Sequence, residues 1–135
     1  MKTDFSNVII PSNLDGLPEK HEIEVAWLLA KYFNCEVTFL KRIQGYKIRT
    51  PDIKMMGALW EMKSPIGKSK NTVRHQIERA VRQSRNIIFD CQRIKLSDDI
   101  IIIKINREIT QHHFLKKIIV INKTKNVLVL NDKKC

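Results

Sequence analysis

Between residues 19 and 33 apolar side chains recur at helical spacing. Val25, Ala26, Leu29, Ala30 and Phe33 fall on one face, and Lys20, Glu24 and Lys31 on the other. This predicts a first helix over 19–33, stopped by Asn34, after an irregular start containing Pro11, Asn13, Gly16 and Pro18. Glu22 falls in the middle of the apolar face, where a carboxylate is costly unless paired, hydrogen-bonded or bound to metal.

The period then shortens to that of strands. Residues 36–42 form a β-branched and aromatic run, and residues 53–56 and 58–64 flank Gly57 as a hairpin, closed by Pro65 and Gly67. A helical pattern returns over 72–85, with Val73, Ile77, Ala80 and Ser84 inward and Arg74, Glu78, Arg82 and Arg85 outward. Gln76 and Gln83 lie on or beside its inward face. Residues 86–90 are short and apolar, as in a buried central strand.

Residues 100–103 are four isoleucines with strand propensity, but Ser97, Asp98 and Asp99 make an N-cap and first turn. A parallel strand after 86–90 also needs a crossover, so 98–110 is predicted helical. A final hairpin pairs 118–122 with 127–130 through 123–126. The order is helix, three strands, helix, strand, helix, two strands: an α/β chain read as one domain over 1–135 with its core at about 19–122.

Composition narrows the classes. No apolar run approaches the roughly 20 residues needed to span a bilayer, and residues 1–5 lack the apolar stretch of a signal peptide, so the chain as given is expected to be soluble; the expected site of action is cytoplasmic, with secretion of a longer parent protein left open. Cys35, Cys91 and Cys135 are odd in number and form no CxxC pair, which points to free thiols rather than a zinc knuckle or a disulfide framework.

The charge balance is more informative: 25 basic against 14 acidic residues give +11 at pH 7. Between Lys63 and Lys95 nine basic residues face only Glu78 and Asp90, a local excess of seven. A polyanion is the natural partner, and the stretch lacks the large apolar face of a membrane-surface helix, so nucleic acid is expected.

Along residues 59–63 side chains alternate between sheet faces, so Glu61 and Lys63 share one face and Trp60 and Met62 the other. Asp52 starts the neighbouring hairpin strand and reaches the same edge. Two converging carboxylates make a hard oxygen site for a divalent cation, Mg2+, as one or two ions. Asp52 and Glu61 would ligate it, and Lys63 would orient the attacking water and balance the charge of the transition state.

Pro51-Asp52 followed by Glu61-Met62-Lys63 resembles the PD-(D/E)xK nuclease superfamily. The surrounding Thr50-Pro-Asp-Ile, Leu59-Trp-Glu-Met-Lys-Ser-Pro-Ile-Gly and Gln83-Ser-Arg-Asn-Ile-Ile-Phe-Asp90 resemble the C-terminal tRNase domains of contact-dependent growth-inhibition toxins. The resemblance implies a restriction-endonuclease-like αβββαβ core around a mixed sheet and magnesium-dependent cleavage. It also implies an acidic residue on the first helix and a Gln on the second, roles that Glu22 and Gln76 match; Gln83 is expected to pack.

The expected substrate is therefore RNA, tRNA in particular, seated by Lys68, Lys70, Arg74, Arg82 and Arg85. An acidic immunity protein is the partner a toxin would require. A DNA endonuclease of restriction or repair type on the same fold, and a non-catalytic nucleic-acid-binding module, are the rival readings. Gly67-Lys68-Ser69 does not complete a P-loop, because the earlier glycine would fall at Met62. His21, His75 and the adjacent His112 and His113 carry no ligand pattern, and Trp60 and Phe89 are expected in the core.

Overall fold

Seven strands lie side by side in sequence order, and the helices cover both faces of the sheet. The computed structural model describes residues 7–12, 14, 17–41 and 50–132. The elements are β1 (Val8–Ile9), α1 (Lys20–Phe33), β2 (Val37–Phe39), β3 (Ile53–Met55), β4 (Ala58–Lys63), α2 (Thr72–Ala80), β5 (Asn86–Asp90), α3 (Asp98–Gln111), β6 (Lys117–Ile121) and β7 (Val127–Asp132). β1–β2, β4–β5 and β5–β6 pair parallel, and the remaining neighbours antiparallel, so the sheet is mixed. Each parallel pair is joined through a helix, as a crossover requires.

Alternation along the central strands builds two cores. Ile88, Ile119 and Ile121 join Trp60 and the buried face of α1, Val25, Ala26, Leu29 and Ala30. Ile87, Phe89, Ile118 and Val120 join Val73, Ile77 and Ala80 of α2 and Ile101 and Ile105 of α3 on the opposite side. No helix among the described residues is long and apolar enough to cross a membrane.

The expected boundaries hold at α1, whose C-cap Asn34 is left-handed (φ 50°), and at α3, where Ser97 Oγ accepts from Ile100 N. Trp60 and Phe89 are fully buried, as expected. Three elements differ from the sequence reading. The irregular start contains β1, whose two residues are too few for a period to register. The run expected over 36–42 forms a strand only at Val37–Phe39, and residues 42–49 lie outside the described residues. The helix expected over 72–85 stops at Ala80, where Arg82 N donates to Arg79 O and Gln83 N to Ala80 O, the i→i−3 pattern of a tightened closing turn. Ser84 Oγ then donates to Leu59 O at 2.7 Å, drawing the chain onto β4 before β5 begins.

The β3–β4 turn sets the register on which the chemistry depends. Met56 and Gly57 both take positive φ (52° and 74°), the two-residue arrangement whose twist matches flanking strands. A Cβ at Gly57 would meet nothing within 4 Å, so substitution strains only the backbone. Gly57→Ala is expected to cost about 1 kcal/mol, and Gly57→Asn less, as shifts in the urea midpoint at constant slope.

Candidate active site

β-pairing brings the two carboxylates together. Ile53 lies opposite Trp60, and Asp52 N donates to Trp60 O at 2.9 Å, so Asp52 stands across from Glu61. Its Oδ2 accepts from Met62 N at 2.8 Å, which fixes the carboxylate against β4. Glu61 is only 4% exposed, and Lys63 Nζ approaches its Oε2 to 3.3 Å from two residues along the same strand face. In the adjacent parallel strand Ile87 and Phe89 are their register partners, so both project toward the face covered by α2.

Burial pushes the Glu61 carboxyl up to about 8, and the Asp52 charge and the hydrogen bond Glu61 shares with it push the same way. The Lys63 ammonium opposes the rise without cancelling it. At neutral pH and without a cation, Glu61 therefore holds a proton beside Asp52. A divalent ion would replace that proton: two adjacent carboxylates, one buried and one half-buried, suit Mg2+, which keeps several waters and takes remaining ligands from phosphate oxygens. Among the described residues no three or more His, Cys, Asp or Glu side chains are grouped to hold a metal.

Gln83 is the fourth member. With its amide assigned so that the nitrogen faces Glu61, the orientation that satisfies both groups, it donates to Oε1 at 2.8 Å and also to Oε2. The sequence reading gave this glutamine a packing role and placed Gln76 in the site. Extending the α2 period through residue 85 obscured the point: the turn after Ala80 swings Gln83 back over β4.

Glu22 and Gln76 approach from other directions. Gln76 lines a cleft of ≈ 470 Å³ beside Lys63, Ser64, His75 and Arg79. Glu22 borders a separate cavity of ≈ 260 Å³ on the α1 side, with Lys63, Ser64, Asp90 and Arg93. Its Oε1 accepts from Glu19 N at 2.9 Å, so the partner predicted for a carboxylate on that face is the start of its own helix. Lys63 borders both spaces, but neither Glu22 nor Gln76 is brought into the hydrogen-bonded group of Asp52, Glu61, Lys63 and Gln83.

Asp90, which is buried, is satisfied locally: Ser64 Oγ donates at 2.7 Å, and Gln92 N and Nε2 donate to its other oxygen. Cys35 and Cys91 are free thiols, and burial pushes Cys91 up to about 12, which removes it as a nucleophile. His112 Nε2 lies 3.4 Å from Glu108 Oε1.

The basic residues expected to seat substrate are exposed on the segments that follow β4. Lys68 and Lys70 lie in the β4–α2 loop, Arg74 on α2, and Arg82 and Arg85 beyond its end, all exposed. Lys70 and Arg74 border a groove of ≈ 450 Å³ between α2 and α3 to which Lys104 and Arg107 add two further cations, neither singled out from sequence.

Comparison with known proteins places this architecture. No curated protein matches the sequence. A solved structure, a CdiA-CT/CdiI toxin and immunity complex from Burkholderia pseudomallei, is similar in fold at a TM-score of 0.68, over 90% of this chain and 98% of that one, with 21% identity. The family model described as the contact-dependent growth inhibition CdiA C-terminal domain matches residues 49–127, more than half the chain and the segment that carries Asp52, Glu61, Lys63 and Gln83, and the protein belongs to that family.

Proposed function

We propose that the protein is a growth-inhibition toxin domain that acts in the cytoplasm of a target cell as a Mg2+-dependent endonuclease of the PD-(D/E)xK type, cleaving RNA and tRNA in particular. The observation that carries this reading is the half-buried Asp52 carboxylate set across the β3–β4 register from the buried Glu61, with the Lys63 ammonium 3.3 Å from Glu61 Oε2. Such a pair is costly to fold and gains a purpose once a cation is held there.

Asp52 and Glu61 would hold the ion, which when bound supplies polarisation of the phosphodiester and a more acidic bound water. The protein's own groups do the rest. Met62 N–H fixes the Asp52 oxygen, and the Gln83 amide holds both Glu61 oxygens in one orientation. Lys63 offsets the negative charge that grows on the phosphoryl oxygens during attack, a role that is strongest where water is excluded. Gln76 flanks Lys63 as an auxiliary substrate contact. Glu22 would join the chemistry only by giving up the Glu19 N–H. Lys68, Lys70, Arg74, Arg82 and Arg85 seat backbone phosphates.

An acidic immunity protein covering these basic residues fits the same reading, supported by the toxin and immunity pairing named for the similar structure. The test of substrate class is competition: total tRNA, other RNA and plasmid DNA offered together with Mg2+. The tRNA is expected to be consumed first. Preferred cleavage of plasmid would transfer the reading to a DNA endonuclease, and salt-sensitive binding without any cleavage would reduce the protein to a binding module.

A further inference from the structure

A groove of ≈ 380 Å³, distinct from the cleft that Gln76 lines, is bordered by Pro51, Leu59, Arg82, Gln83, Arg85 and Phe114. It meets the candidate active site at two points. Pro51 immediately precedes Asp52, and Gln83 is the residue whose amide bonds Glu61.

The groove is flanked by an exposed aromatic. Phe114, in the turn between α3 and β6, is 55% exposed, belongs to neither core cluster, and faces a groove whose other apolar border, Leu59, is 45% exposed. The ring is nonetheless held in place. The Arg85 guanidinium carbon lies 4.8 Å from its centroid, and Arg85 Nε donates to Phe114 O at 3.1 Å. Lys116 N in turn donates to Arg85 O at 2.8 Å. The platform is thus pre-ordered by its own backbone contacts, with one part of the ring against a cation and the rest open to solvent.

A flat π-surface backed by a guanidinium, with a second arginine beside it, suits a nucleobase and its flanking phosphate. The geometry points to a nucleobase subsite in which an unpaired base of the substrate stacks on Phe114 and Arg82 meets the adjoining phosphate. This rests on the reading that the substrate is nucleic acid and narrows it. Bases inside a duplex are already stacked and cannot enter without unpairing, so cleavage is directed to loops and single-stranded segments next to the subsite.

The test measures binding in chelator, where cleavage is suppressed. It compares the full-length protein with Phe114→Ala and Phe114→Trp on three fluorescent probes of equal length: a single-stranded RNA, its duplex, and a fully abasic chain. Phe114→Ala is expected to weaken binding of the single strand by about 5- to 150-fold, with Phe114→Trp close to wild type. It should leave duplex and abasic binding unchanged. The Arg85 bond is to the backbone of residue 114, so the melting temperature should hold.

Single-strand binding unaffected by Phe114→Ala, or an equal loss on all three probes, would overturn the subsite. If the binding pattern holds but wild type cleaves nothing with Mg2+, the nuclease reading fails and the subsite stands. If wild type cleaves and Phe114→Ala cleaves and binds equally well, the subsite fails alone. Absence of binding to every probe would remove both.

Discussion

Glu61→Gln is expected to abolish cleavage while making the protein more stable. The activity loss follows from removing one of two carboxylates that would hold the metal and should be about 10³-fold or more. The stability gain follows from the raised carboxyl. Glu61 titrates at about 8 in the folded protein against a reference value of 4.5, so the folded state holds its proton where the unfolded chain has lost it. Below pH 4.5 both states are protonated and the group contributes nothing. From there stability falls as pH rises, and the loss levels off above about 8.

At pH 7 the difference corresponds to about 3 kcal/mol. A glutamine keeps the shape, still accepts from Gln83 and Lys63, and cannot ionise. Thermal melts in chelator should therefore place Glu61→Gln above wild type by about 10 °C at pH 7, with the two converging near pH 4.5. A variant that melts below wild type at pH 7 would mean that the ionised carboxylate is structurally required.

The same linkage predicts that Mg2+ and a proton compete for Glu61. Ligation needs the carboxylate, so apparent Mg2+ affinity should approach a tenfold fall per pH unit well below about 8, about 50-fold weaker at pH 6 than at pH 8. Binding at pH 7 should release close to one proton, readable by calorimetry in buffers of different ionisation enthalpy. Cleavage should follow metal occupancy, shifting to higher Mg2+ as pH is lowered and stopping in chelator at every pH. An Mg2+ requirement that does not move between pH 6 and pH 8 would show that Glu61 is not the titrating ligand.

What could be read from the chain divides along physical lines. Asp52, Glu61 and Lys63 were legible because a two-residue turn fixes register and strand alternation fixes face, so three positions in sequence imply one cluster in space. The fold class was legible for a similar reason: the periods of α1 and α2, the N-cap and crossover that require α3, and the apolar run of β5 leave little choice of layer. Gln83 was not, because its place depends on where α2 stops and on how the following turn docks on β4, where Ser84 Oγ meets Leu59 O across 25 residues. Periodicity put Glu22 on the inner face of α1 but could not show that at the third helical position it would turn to the Glu19 N–H. Phe114 and its Arg85 contact join residues 29 apart and leave no local pattern at all.

The central claim is that Asp52, Glu61 and Lys63 form a metal-dependent phosphodiesterase site. The most direct test incubates wild type, Asp52→Asn and Lys63→Ala with total tRNA, with Mg2+ or with chelator, alongside a salt titration of RNA binding to show that the variants still hold the substrate. Wild type is expected to cleave with Mg2+ alone, and both variants to lose at least about 100-fold in cleavage at undiminished binding. Cleavage that persists in either variant, or that proceeds in chelator, would contradict that claim.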